Sequence, residues 1–265
     1  MLVASLYGNR VEAEDAERHP DYSCPNCRQN VILKRGRIRV AHFAHKPPTN
    51  CTWAGETTEH LNAKKYFKDT FVRQGLVAEV EYPVASLHGD RRTDVMLWLH
   101  TGVQVALELQ HTSISLDEIE ARAATYAKEG IAQAWIPFLT KAAMAKAERV
   151  RGELVIKKYT AKPFEKWAQA LHFKNLWFWD PTISQLWQGT LETHELYVES
   201  TTWYESGGEE RHAGGYTKPS KRWRDLYLKG PFRLEQLQLT AKRRQAWRTP
   251  RYNVPAGLIA QFSPK

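Results

Sequence analysis

The stretch Thr93–Gln110, TDVMLWLHTGVQVALELQ, constrains the fold more than any other part of the chain. At period two, Asp94, Met96 and Trp98 share one face of a first strand, and Gln104, Ala106, Glu108 and Gln110 share one face of a second. His100, Thr101 and Gly102 form a three-residue connection with glycine at its left-handed position. That geometry sets Leu99 opposite Val103 and, counted back, Asp94 opposite Glu108. Facing residues lie about 5 Å apart at Cβ. Two carboxylates on one rung repel each other, and Glu108 sits in the apolar run Val103, Val105, Leu107 and Leu109, where an isolated charge is costly. A divalent cation held by both is the simplest compensation, and hard oxygen donors select Mg²⁺ or Mn²⁺.

The flanks of this hairpin extend the pattern. A helix is expected from Thr57 to about Gln74, stopped by Gly75, with Glu59 on the side of Ala63, Tyr66 and Phe67. Glu59 is either an outer metal ligand or a first-turn acid favoured by the helix dipole. Val77 to Pro83 reads as a strand, and its Glu81 either joins the metal cluster or lies on the wet face of an edge strand. Arg92 alternates onto the Asp94 face, to hold a phosphate or to neutralise a carboxylate. Downstream, Ser115 and Glu118 make a capping box for a second helix whose stripe is Leu116, Ile119, Ala123, Tyr126 and Ala127. Arg122 and Tyr126 are candidates for a DNA-facing turn, with core the other reading for Tyr126. Ile131 to Leu139 is then a buried strand, most economically parallel to the hairpin after a helical crossover.

All three cysteines, Cys24, Cys27 and Cys51, fall within 28 residues. The CPNC knuckle, a short basic hairpin, HFAH and Cys51 supply three sulfurs and one imidazole, the donor set of a tetrahedral structural zinc site. His45 is favoured for the fourth place because it is nearer Cys51, with His42 as the alternative. An odd number of cysteines argues against a disulfide framework.

With 265 residues, 42% hydrophobic and 25% charged, the chain has the composition of a soluble globular protein. No apolar run is long enough to span a bilayer, and MLVASLYGNRVEAE lacks the features of a signal peptide, so a cytoplasmic protein that does not engage membranes is expected. Between Tyr216 and Arg251 eleven Lys or Arg stand against two acids, enough to account for the whole chain's net charge of +9. Lys221, Arg222, Arg224, Lys242, Arg243 and Arg244 in this block alternate with aromatic residues, the composition of a nucleic-acid surface; a solvated basic tail is the plainer reading. Residues 141–265 are expected to form a Trp-rich, basic α+β region, with Ser206–Gly215 as a mobile loop and the tryptophans either a stacking surface or a core.

Cys24-Pro-Asn-Cys27, His42-Phe-Ala-His45, Glu59-His60-Leu61, Arg92-Thr-Asp94-Val95 and Glu108-Leu-Gln110, in that order, resemble the CoiA-like competence protein family. The resemblance implies a PD-(D/E)XK restriction-endonuclease-like core, αβββαβ with a mixed sheet. It divides the chain into a zinc-binding module (1–54), a nuclease-like domain (55–140) and the basic region (141–265). It implies metal-dependent phosphodiester cleavage, with Mg²⁺ on Asp94 and Glu108, Glu59 as a further site residue, and DNA, single-stranded or branched, as partner, in the company of recombination proteins. Gln110 takes the place of the motif's lysine; it can orient water but carries no charge. A non-catalytic DNA-binding or recombination-loading protein, a phage-defence nuclease and an RNA-directed protein are the alternatives.

Overall fold

The computed structural model describes residues 1–85 and 91–265. Strands β1 (Val3–Leu6), β2 (Asn9–Glu12), β3 (Tyr22–Ser23), β4 (Asn30–Lys34) and β5 (His42–His45) pair antiparallel in the order β2-β1-β3-β4-β5. Tyr22, Val31 and Phe43 fill a small core beneath this sheet. The chain continues through α1 (Thr58–Arg73), β6 (Val77–Val80), the short pair β7 (Pro83–Val84) and β8 (Arg91–Arg92), the hairpin β9 (Val95–Trp98) and β10 (Gln104–Gln110), α2 (Leu116–Lys128) and β11 (Ala132–Pro137).

The hairpin has the expected register. Leu107 faces Val95 and Gln104 faces Trp98, and the amide of Leu99 donates to Val103 O at 2.9 Å around Gly102, whose φ is +80°. Helix α2 then crosses over, and β11 runs parallel to β10. Alternation along the hairpin divides its side chains between two layers. Val95, Leu97, Val105 and Leu107 pack with Phe67 and Phe71 of α1, while Met96 and Ala106 pack with Ile119, Ala123 and Tyr126 of α2. Both helices are capped by hydroxyls: Thr57 accepts from the His60 amide and Ser115 from the Glu118 amide.

The rest of the chain comprises α3 (Lys141–Met144), β12 (Glu148–Val150), β13 (Glu153–Tyr159), α4 (Pro163–Leu171), β14 (Leu176–Asp180), β15 (Gln185–Val198), β16 (Thr201–Tyr204), β17 (Glu210–Ala213), β18 (Tyr216–Phe232), β19 (Leu237–Arg244), β20 (Trp247–Arg248), β21 (Asn253–Val254) and β22 (Gly257–Pro264). Strands from both sides of residue 140 share one sheet. β22 pairs parallel to β11 and antiparallel to β19, giving a six-stranded mixed sheet in the order β19-β22-β11-β10-β9-β6. Gly257 allows a close approach there, since a Cβ would stand only 3.0 Å from that of Ala127 on α2. Strands β12, β13, β18, β15 and β14 form a second, antiparallel sheet, joined to the first where the Leu139 amide donates to Trp179 O. Trp167, Trp177, Trp179 and Trp187 are buried in the shared core rather than offered as a stacking surface. Trp179 lies 5.1 Å from the rings of both Tyr66 and Phe67, so a residue of β14 anchors α1; truncating such a side chain costs about 3–5 kcal/mol. The expected mobile loop at Ser206–Gly215 is largely a paired hairpin, Thr201 facing Ala213 and Tyr204 facing Glu210. Among the described residues no helix is long and apolar enough to cross a membrane.

Candidate active site and metal-binding group

The loops that enter α1 and α2 converge on one end of the central hairpin and enclose a cleft of about 850 Å³. Asp94, Glu108 and Gln110 line it from the sheet, Glu56 and His60 from the start of α1, and Arg122 from α2. Asp94 immediately precedes β9, and the hairpin register carried one residue further sets it beside Glu108. Its Oδ2 accepts the Leu109 amide at 2.8 Å, which holds the carboxylate against the second strand.

The two carboxylates sit in opposite electrostatic surroundings. Burial alone would raise Asp94, but His60, with Nε2 3.1 Å from Oδ1, and Lys64 at 4.0 Å outweigh it and hold the carboxyl at about 2. Glu108 is 1% exposed, and burial together with the charge of Asp94 pushes it up to about 7. Arg122, donating at 2.7 Å, and the hydroxyl of Tyr126 oppose that rise without cancelling it.

Beneath Asp94 lies a knot of compensated charge. Lys64 is fully buried and reaches Glu56 and Glu81 at 2.5 Å each. Arg92 reaches Glu81 at 3.0 Å and Glu56 at 3.4 Å while its guanidinium lies 4.4 Å over the Trp53 ring. His60 Nδ1 stands 3.2 Å from Glu56, so the imidazole bridges Glu56 and Asp94; burial would lower it, but the two carboxylates raise it to about 9. Glu81 is neither on a wet strand face nor in the cleft. It turns inward at φ +52° and also accepts the amides of Leu2 and Val3, tying the N-terminal sheet to the central one.

A second group forms in the N-terminal sheet. Donor atoms of Cys24, Cys27, His45 and Cys51 all lie within 4.8 Å of one another, an arrangement that could hold a metal ion. Cys27 Sγ is 3.3 Å from His45 Nε2, and Cys24 Sγ is 3.8 Å from Cys51 Sγ. His42, three residues away on the same strand, points to the other face, with Nδ1 2.9 Å from its near neighbour Val40 O. Burial lifts the Cys24 thiol to about 11.

A family model of the competence protein CoiA N-terminal domain matches residues 7–54, and one of the competence protein CoiA nuclease-like domain matches residues 56–199, more than half of the chain. The chain belongs to the CoiA competence protein family. The resemblance carried by the motifs is thereby confirmed. No curated protein and no solved structure matches. The CoiA nuclease-like match opens on Glu56 and contains His60, Arg92, Asp94, Glu108, Gln110 and Arg122, while the CoiA N-terminal match contains the whole Cys₃His group. The nuclease-like match also extends past residue 140 through β15, in keeping with the shared core.

The structure brings together Asp94, Glu108, Gln110 and Arg122 around the cleft, with Arg92 at its floor. Gln110 donates to Thr112 O at 2.7 Å. Glu59 is not among them: it is exposed, one residue out of phase with His60, which faces Asp94. Of the basic block, Lys221, Arg222, Lys242 and Arg243 are exposed, Arg224 is half-buried with Nη1 on Ser220 O, and Arg244 is buried with Nη1 on Leu171 O. Glu56, His60 and Lys64 were missed as site residues. Their spacing of four along the chain was the available signal, an acid, an imidazole and an ammonium in one stripe.

Proposed function

We propose that this protein is a metal-dependent deoxyribonuclease with a PD-(D/E)XK-type site, in which Asp94 and Glu108 hold Mg²⁺ or Mn²⁺. The observation that carries the reading is geometric: Asp94 and Glu108 share one rung of the hairpin and both line the open cleft. All-oxygen donors at the wall of an open polar cleft fit a hard divalent cation. Such an ion, when bound, polarises a phosphodiester and acidifies a bound water. The chain's own residues do the remainder: His60, charged at neutral pH, meets the anionic phosphate, Gln110 orients water through its amide, and Arg122 steers the backbone from α2. For the Cys₃His group, one structural Zn²⁺ is the ion that suits three thiolates and an imidazole, with no position left open for chemistry.

A second reading, a DNA-binding protein that keeps the framework without cleaving, is favoured by one observation: Glu108 and Asp94 both already have cationic partners of their own, Arg122 and His60. Labelled single-stranded, duplex and branched DNA incubated with Mg²⁺, Mn²⁺ or EDTA separates the two. Metal-dependent products that fall at least 100-fold with Glu108→Ala are expected. Tight binding by both proteins with cleavage by neither would select the second reading.

A further inference from the structure

Away from the Asp94 cleft, α4, the turn after it, β18 and the β19–β20 segment enclose a separate cavity of about 390 Å³ that shares no lining residue with it. Among the described residues four cations line it, Lys166, Lys174, Arg224 and Arg244, and no acidic side chain does. Arg244 is the most unusual. It is 8% exposed, its guanidinium lies 4.5 Å over Phe173, its Nη1 donates to a carbonyl, and its buried Nε has no partner among the described residues. A buried guanidinium without a carboxylate is costly, so a site of this kind suits an anion supplied from outside.

The apolar part of the lining is aromatic. Phe173 and Trp247 are 53% and 41% exposed, and Tyr252 completes the wall. Phe173 and Lys174 both hold positive φ, +53° and +66°, so the turn that presents them adopts a conformation unfavourable for residues other than glycine. Exposed aromatic faces beside uncompensated cations fit a ligand with a planar base and a phosphate. Basic side chains continue beyond the cavity in exposed Lys242, Arg243, Arg248 and Arg251, which favours a strand over a free mononucleotide.

We propose that this cavity binds one nucleotide of a single-stranded DNA, the base stacking on Trp247 and Phe173 and the phosphate meeting Arg244, Lys166 and Arg224. The site deepens the DNA-directed reading above and rests on it for the choice of polymer. Stacking requires an unpaired base, so the site discriminates single strands from duplex.

The test is fluorescence anisotropy with labelled oligo-dT and with a duplex of matched length, in EDTA, on the full chain with wild-type, Trp247→Ala and Lys166→Ala proteins, and with dTMP as competitor. Both substituted residues lie outside the core, and circular dichroism checks their folding. Trp247→Ala is expected to weaken oligo-dT roughly 5- to 150-fold, the range for losing one stacked base, with little change on duplex. Lys166→Ala should weaken oligo-dT and flatten its salt dependence. Unchanged oligo-dT affinity in Trp247→Ala, or equal losses on duplex, would overturn the proposal. dTMP binding as tightly as oligo-dT would overturn the strand in favour of a free nucleotide. If single strands bind through Trp247 but no metal produces cleavage, the nuclease reading fails and this one stands; cleavage by a protein indifferent to Trp247 gives the reverse.

Discussion

The Cys24–Cys27–His45–Cys51 group and the Glu56–His60–Asp94 group in the cleft are both gatherings of side chains that could hold a metal ion, and they balance charge in opposite ways. The thiols come from one short stretch, folded back by β4 and β5, and lie beside one another and a single imidazole with, among the described residues, no Lys or Arg bonded to them. The carboxylates come from the segment before α1, the residue before β9 and β10 itself, and Lys64, Arg92, His60 and Arg122 are built in beside them. A group without internal counterions depends for its order on an ion from outside. One that carries its own cations keeps its shape with or without a metal, and an ion there serves chemistry rather than folding.

Metal removal should therefore divide the molecule, and this is the largest effect expected. Chelation at neutral pH, or Cys24→Ser, is predicted to release one equivalent of zinc and to expose residues 1–54 to proteolysis and hydrogen exchange. The loss should be several kcal/mol, below the roughly 10–16 kcal/mol of small zinc-dependent peptides because Tyr22, Val31 and Phe43 supply some core. Elemental analysis with mass-resolved exchange reads both effects. An unchanged exchange pattern on metal loss would erase the contrast.

Next in size, Lys64→Met removes the buried ammonium shared by Glu56 and Glu81 and leaves Arg92 as the cation they have in common, and a loss of about 3–5 kcal/mol in urea unfolding is expected, with no rescue by added Mg²⁺. Rescue by the ion would mean that the cation knot is itself a metal site.

His172 shows a third solution, neutrality. Burial, with the charge of Arg244, pushes its imidazole down to about 3, and Nε2 accepts the Trp135 amide at 3.1 Å. Unfolded histidine takes up a proton near 6.5. Between 6.5 and 3 the unfolded chain is therefore protonated there while the folded one is not, and stability falls as pH falls, by about 2 kcal/mol at pH 5. His172→Gln, which keeps an acceptor but does not titrate, should flatten that part of the stability curve.

The smallest effect is expected from Trp53→Ala. Removing the ring 4.4 Å from the Arg92 guanidinium should cost about 1 kcal/mol in thermal unfolding and leave zinc content unchanged, although Trp53 lies two residues from Cys51.

What could be read without coordinates was local. Gly102 and the two-residue alternation set the hairpin register, so Asp94 and Glu108 were paired from the letters alone, and the helices were announced by Thr57, Ser115 and their glycine stops. The choice of His45 over His42 rested on nearness to Cys51, and strand alternation, which sends the two imidazoles to opposite faces, is the physical reason it is the one beside the sulfurs. Of the two readings of Glu59 the structure has the first-turn acid: it lies one position, a turn of about 100°, from His60 and is exposed to solvent.

The sequence by itself determined the elements that close over a few residues: the carboxylate rung, the Cys₃His group and the caps, because turn geometry and side-chain period act at short range. Only the tertiary structure decided which cations compensate those carboxylates, that β19 and β22 complete a sheet begun more than a hundred residues earlier, and that part of the basic block folds around an aromatic cavity. These outcomes depend on which surfaces meet across long separations. Burial and charge there are properties of the assembled neighbours, and no residue carries them alone.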